Sequence, residues 1–420
     1  MPLTPEQIAK IRKKEEETSD ALKRDPLSNY REGYFHVTLN TRGEAPVLGH
    51  IVGDPEAADD SDNAPRCVLT DLGQRVEEVI ASIPSFHRYT SVEESIVMPD
   101  HLHMLLHLLP GGKEHLGKVI GGFMGGCSHE YWDALGIDWR TDHPTQGKQS
   151  ASNSKKSAAA HSLPDRDRDH TRSFRGPSLF VRGYNDVEAI GEDEIEIKRQ
   201  YIRNNPRKHL IKRDKPNRFR VHRDMKSANW TPERIMTGLC ADRFIAADRN
   251  KQVEAWQQLI SKGLRNDRGK LSATLKFQDS RPTLDLVGNM ELLQRPLFPL
   301  VCHRAEAHLF EQQKAAVLKV ARGQGGVIVT ACVSPKERDI VKLLHQELLP
   351  VIEVMDNGFS DRYKPTGKAF YAVAEARRLE ISPWEYEYRR RELLSREMCM
   401  VMNELVRMIA KKDDNWWKFV

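Results

Sequence analysis

The stretch from Ile96 to Leu108, IVMPDHLHMLLHL, constrains this chain more than any other. Two apolar runs flank Met98-Pro99-Asp100, where proline fixes φ and withdraws a backbone donor, so a turn is expected between two strands. Side chains alternate faces along a strand. His101 and His103 therefore share one face, about 7 Å apart along the strand, while Leu102 points into a core. Two neutral imidazoles on one rigid strand can hold a divalent metal. The bland alternative is a chance pair of structural histidines, and His107, on the same face, is equally a candidate core residue.

The composition suits a protein with much exposed or loop sequence: 39% apolar and 30% charged residues over 420 positions, enough for two or three domains. The net charge is only +5, but its distribution matters more. Between Lys198 and Lys226 stand twelve Lys or Arg and two Asp. The six cysteines (Cys67, Cys127, Cys240, Cys302, Cys332, Cys399) form no CxxC pair, which argues against a zinc knuckle or disulfide scaffold and suits a reducing cytoplasm. No apolar run reaches transmembrane length, so no membrane partner is expected, and the polar start MPLTPEQIAKIRKKEEE reads as a helix rather than a signal peptide.

Residues 5–24 read as an exposed helix. Strands are expected over Tyr34–Thr41, Tyr89–Met98 and Leu102–Leu109, with a short one near Val47–Val52. Helices are expected over Leu69–Ser82 and Gly117–Leu135. The Ser/Lys/Ala-rich and then Asp/Arg-rich segment 141–177 reads as a flexible insertion. Glu192–Asn204 is an expected helix, acidic at its start and basic at its end, stopped by Pro206 and followed by a basic tail. Trp256–Lys262 suggests a connecting helix. Further on, strands at Leu297–Val301, Val327–Ala331 and Val351–Met355 alternate with helices at Glu306–Ala321 and Pro335–Leu349, which predicts a parallel sheet of βαβ units. Helix is expected to dominate from Lys368, with a long terminal helical region over Pro383–Ile409. The fold class is α/β (α+β), divided into an N-terminal helix (1–30), a first domain (31–235), a linker helix (236–283), a Rossmann-like domain (284–390) and a terminal helix (391–420).

Tyr201 and Asn205 stand four apart, so on a helix they share a face, although Pro206 weakens helical geometry at Asn205. The phenol can then face a scissile phosphate and the amide can offer a carbonyl oxygen to a metal. The alternative is that Tyr201 packs beneath its helix and Asn204-Asn205-Pro206 is a capping turn. Imidazole and oxygen ligands without thiolate suit Mg²⁺ or Mn²⁺.

MPDHLHMLLHL resembles the His-hydrophobic-His signature of IS200-like transposases, and YIRNNPRK resembles the tyrosine motif of that superfamily. The order YFHVTLNTR, FVRGYNDVEAI, acidic helix, then YI-x-N-N-P is similar to its REP-associated tyrosine transposase branch. The likeness runs from Tyr34 to Phe219 and is interrupted by the insertion. It implies a sandwich around a central antiparallel sheet, His101, His103 and Asn205 on Mg²⁺ or Mn²⁺, and Tyr201 as a nucleophile that cuts and rejoins single-stranded DNA through a 5′-phosphotyrosine. It also implies a hairpin or palindromic DNA partner, a homodimer, and a bacterial cytoplasmic, nucleoid-associated setting. Asn185 departs from the family, where many relatives carry His. Phosphate contacts are expected from Arg199, Arg203, Arg207, Lys208, Lys212 and Arg213. Three rival readings are a non-catalytic DNA-binding protein that keeps the fold, a relaxase or replication initiator of the same chemistry, and, more remotely, an RNA-binding protein that uses the basic tail alone.

In the second half, LVGNMELLQRPLFPLVCHRAEA, GGVIVTACVSPKE and VIEVMDNGFSDRYKP resemble the Rossmann-like domain of DNA-processing protein A, through Gly288, Asn289, Arg304, Gly358, Tyr363 and Pro365. Cys302-His303-Arg304 replaces Gly-Ser-Arg, and no Gly-rich turn opens the second helix. A phosphate cradle needs the close backbone approach that glycine permits. Nucleotide binding is therefore not expected; contact with single-stranded DNA, or a scaffold role, is.

Overall fold

The computed structural model describes residues 28–137, 176–226, parts of 234–278 and, apart from 303–306, 324, 362 and 388–393, residues 281–420. The expected N-terminal helix and nearly all of the insertion lie outside the described residues. The chain divides into two compact units, Met1–Leu210 and Ile211–Val420. Among the described residues no helix is long and apolar enough to cross a membrane.

The first unit holds β1 (Gly33–Asn40), β2 (Gly49–Val52), β3 (Arg66–Leu69), α1 (Asp71–Phe86), β4 (Thr90–Val97), β5 (His101–Leu108), α2 (Leu116–Ala134), β6 (Asn185–Ala189), α3 (Glu192–Arg203) and the start of α4 (Asn205–Asp214). Its main sheet runs β4-β5-β1-β6 and is antiparallel throughout. Period-two alternation gives this sheet two unlike faces. Phe35, Val37 and Leu39 of β1, with Leu102, Met104 and Leu106 of β5, are fully buried among Val76 and Ile80 of α1 and Val119, Ile120 and Phe123 of α2. The opposite face presents His36, Thr38, His101 and His103. Leu102 thus enters the core as its alternation requires.

Pro206 does not end the helical stretch. Only Asn204 (φ −83°, ψ 2°) breaks it, and α4 begins at once, with the proline at its start where a missing donor costs nothing. The expected basic tail is consequently helical as far as Asp214.

The second unit holds a short helix α5 (Pro216–Phe219), β7 (His222–Lys226), β8 (Leu264–Arg265), β9 (Leu271–Ala273), β10 (Phe277–Gln278), β11 (Arg281–Gly288), β12 (Leu297–Leu300), α6 (Ala307–Gly323), β13 (Val327–Thr330), α7 (Pro335–Gln346), β14 (Val351–Val354), α8 (Gly367–Ala374), β15 (Arg378–Ser382) and α9 (Arg396–Ala410). Strands β12, β13, β14 and β15 are parallel, and β11 joins β15 antiparallel. The basic segment after α5 adds β7 to β11 and so belongs with this sheet. One face packs Val327, Val329, Ile352, Val354, Leu379 and Ile381 against Val401, Met402 and Leu405 of α9. The other carries Ile328 and Val351 against Val317, Val320, Ile340 and Leu344 of α6 and α7.

Helix does not dominate from Lys368, because β15 intervenes. Its sequence RLEIS hides a buried strand behind two charges, and those charges are met internally: Arg378 pairs with Glu353 at 2.5 Å and with Glu380 at 2.8 Å. The terminal helix starts only at Arg396. Ahead of it, Trp384 lies in extended backbone bridged to Leu275.

Candidate active site

The register of β1 against β5 sets Thr38 opposite His103. On the polar face of the sheet this gathers three imidazoles. The rings of His101 and His103 lie 4.9 Å apart between centroids, and those of His36 and His103 lie 5.1 Å apart. Nδ1 of His103 sits 2.9 Å from Thr38 Oγ1 and 3.1 Å from His36 Nε2. Nδ1 of His101 sits 2.6 Å from Asp100 Oδ1. The imidazole beside it holds the Asp100 carboxyl below the usual carboxylate range, against the opposing pull of burial.

Helix α3 brings the tyrosine to this group. The Tyr201 ring stands edge-on to both His36 and His103, 5.4 Å from each. Lys208, on the first turn of α4, places Nζ over the face of the same ring, 4.6 Å from its centroid. Asn205 is buried and donates Nδ2 to the Tyr201 carbonyl at 2.9 Å, which leaves its amide oxygen as the accepting end. His107 is apart from the group: it stacks on Tyr34 with centroids 3.8 Å apart. Asn185 opens β6, opposite Thr38.

The donor types gathered here, imidazole nitrogen and amide oxygen, are of the kind that ligate divalent ions. Each of the two histidines has Nδ1 engaged by a neighbour, which makes Nε2 the nitrogen that would bind an ion. An amide oxygen would complement them. Among the described residues no three His, Cys, Asp or Glu side chains are arranged to hold a metal.

Four of the basic residues expected to contact DNA, Arg199, Arg203, Arg207 and Arg213, each pair with a carboxylate of the chain. Arg199 and Arg203 pin α3 to β4 through Glu93 (2.8 Å) and Glu94 (2.7 Å). The Ser91 hydroxyl, then Arg199, keep the Glu93 carboxyl below its usual range. Arg207 binds Asp59 and the Pro55 carbonyl of the β2–β3 loop. Arg213 pairs with the adjacent Asp214, and burial lowers the Lys212 ammonium from its ordinary value. Lys208 attends the tyrosine. Sequence reasoning missed His36, Thr38 and Asp100 at the site. Asp100 was detectable, since a carboxylate directly precedes His101. His36 was not, because only strand register brings it to His103.

No protein-family model matches the chain. An uncharacterized protein of Haemophilus influenzae is 28% identical over 82 residues, which cover 19% of this chain and 39% of that protein. The chain thus spans well under half of that relative's length. Among solved structures, a REP-associated tyrosine transposase bound to a REP hairpin superposes with a TM-score of 0.26 at 12% identity, covering 44% of this chain and 74% of the other. A putative transposase of Deinococcus radiodurans gives 0.22 at 14%, covering 43% and 96%. DNA processing protein A of Helicobacter pylori, described with single-stranded DNA, gives 0.23 at 17%, covering 33% and 65%.

Proposed function

We propose that the first unit is a metal-dependent single-strand DNA nuclease and strand transferase of the His-hydrophobic-His tyrosine class, with Tyr201 as nucleophile. The observation that carries this reading is the placement of Tyr201 edge-on to His103 and His36, with Lys208 above its ring. A core tyrosine would need no such company. Both sequence motifs behind the family resemblance meet at that point.

His101, His103 and Asn205 would hold Mg²⁺ or Mn²⁺. When bound, the ion would polarise the scissile phosphate and offset its developing charge. The chain's own residues do the rest. Asp100 keeps the proton of His101 on Nδ1. The ion pairs of Arg199 and Arg203 fix α3 on the sheet edge and so fix the height of the phenol. The Tyr201 phenol loses its proton as its oxygen attacks phosphorus, the P–O3′ bond breaks with the 3′-oxygen taking up a proton to leave as a 3′-hydroxyl, and a 5′-phosphotyrosine forms. Attack by a 3′-hydroxyl reverses the exchange and rejoins strands without outside energy. Lys208 places positive charge beside the tyrosine throughout.

The proposed substrate is a single-stranded hairpin or palindromic repeat. The test is incubation of labelled single-stranded hairpins from the gene's flanks with wild type and Tyr201→Phe, in Mn²⁺ or EDTA. A denaturation-resistant adduct that requires metal and is lost in the variant is expected. An adduct that persists in Tyr201→Phe would overturn the assignment.

A further inference from the structure

His36 belongs to none of the expected roles, yet it lies against both His103 and Tyr201. It is 93% buried (7% exposed), beside a His103 that is itself only 4% exposed. Its Nε2 lies 3.1 Å from His103 Nδ1, and its ring flanks Tyr201. We infer that His36 is a positioning residue that holds His103 as the Nδ1–H tautomer, so that the Nε2 lone pair of His103 faces the metal. The inference rests on the proposed metal site.

The chemistry leaves two arrangements. A neutral imidazole carries one proton, on Nδ1 or on Nε2. If His36 donated from Nε2, His103 Nδ1 would accept and the His103 proton would sit on Nε2, where it would block ligation. If His103 Nδ1–H donates, His36 Nε2 accepts and keeps its own proton on Nδ1. Only the second arrangement fits a metal ligand. Thr38 Oγ1, at 2.9 Å, accepts from the same N–H, which makes the bond three-centred. A hydroxyl and a neutral imidazole can each donate or accept, so it is ligation through His103 Nε2 that fixes the pair, with His36 Nε2 and Thr38 Oγ1 both receiving from His103 Nδ1–H. At His101 the partner is the Asp100 carboxylate, which can only accept. The two ligands are thus oriented by different devices: a half-buried carboxylate for one and a buried imidazole for the other.

The test is Mn²⁺ affinity of the full chain, read from the electron paramagnetic resonance of free Mn²⁺, for wild type, His36→Phe, His36→Gln and His103→Ala. Phenylalanine keeps the packing against Tyr201 and loses the acceptor. Glutamine returns an acceptor near the place of Nε2. Loss of such an outer partner typically weakens metal binding 10- to 100-fold, so a fall of about that size is expected in His36→Phe, with most of it recovered in His36→Gln. A merely structural role predicts that the packing-conservative Phe variant binds better than Gln. In parallel, imidazole ¹⁵N shifts of the metal-free wild type should show His103 protonated on Nδ1, a readout that needs neither metal nor variant folding. His36→Phe affinity within about threefold of wild type, while His103→Ala abolishes binding, would overturn the role of His36 and leave the metal site standing. Wild-type Mn²⁺ binding indifferent to His103→Ala would overturn both.

Discussion

At the scale of single residues, the site is a set of short polar contacts, each with one electrostatic task. Asp100 accepts from His101 at 2.6 Å. Asp100→Ala removes the acceptor altogether, so His101 loses its enforced tautomer. Mn²⁺ affinity should fall roughly 10-fold or more while the thermal transition barely moves; unchanged affinity would deny the carboxylate its role. Lys208 places its ammonium 4.6 Å from the Tyr201 ring centroid. A cation over an aromatic face contributes on the order of 1–2 kcal/mol when partly desolvated. Lys208→Met should therefore slow adduct formation by roughly 5- to 30-fold at saturating Mn²⁺, with Lys208→Arg closer to wild type, as single-turnover rates would show.

At the scale of elements, two helices carry the weight, and each is held by carboxylates. The Arg199–Glu93 and Arg203–Glu94 pairs dock α3 onto β4. Such partly exposed pairs contribute about 0.5–1 kcal/mol each. Because the folded Glu93 carboxyl lies below its usual value, its contribution is complete above the ordinary carboxylate range and is lost as pH falls through the lowered value. The stability gap between wild type and Glu93→Gln in urea titrations should accordingly be present at pH 7 and close in strong acid. In the second unit, the Glu337 carboxylate accepts from the backbone amides of Cys302 (2.8 Å), Val333 (2.7 Å) and Ser334 (3.3 Å). These amides lie where β12 and β13 end, which is where a parallel sheet commonly receives phosphate. The chain fills that cradle with its own side chain, which agrees with the missing Gly-rich turn. Glu337→Ala would leave three donors unpaired, those of Cys302 and Ser334 buried and that of Val333 half-buried, and should cost roughly 2–4 kcal/mol in denaturant melts; a loss under about 0.5 kcal/mol would contradict this account of the cap.

At the scale of the whole chain, the polar interior of the second unit governs its pH response. His345 Nε2 lies 3.2 Å from Arg378, and burial, then the nearby guanidinium, lower its pKa to about 4. A depressed histidine favours the fold above its unfolded value near 6.5, and that benefit is lost as pH falls towards 4. Replacing His345 with Gln should flatten the stability curve across that window; an unchanged slope would show that other groups set it. What the sequence made legible follows the same physics. Strands β1 and β5 and helix α3 were readable because local period and capping charge specify them. Tyr201 and His103 were readable as motif members. The position of His36 was not, because register is a pairwise property of two distant segments. Strand β15 was not, because Arg378 and Glu380 read as surface residues until their buried partners are known. The ion pairs of Arg199 and Arg203 were not legible for the same reason: Glu93 and Glu94 lie far away in sequence. The most direct measurement is peptide mapping of the denatured adduct formed with a single-stranded hairpin in Mn²⁺. The phosphonucleotide mass should fall on the tryptic peptide Gln200–Arg203, on Tyr201; the same mass on any other residue, or none on any hairpin tested, would contradict the central claim.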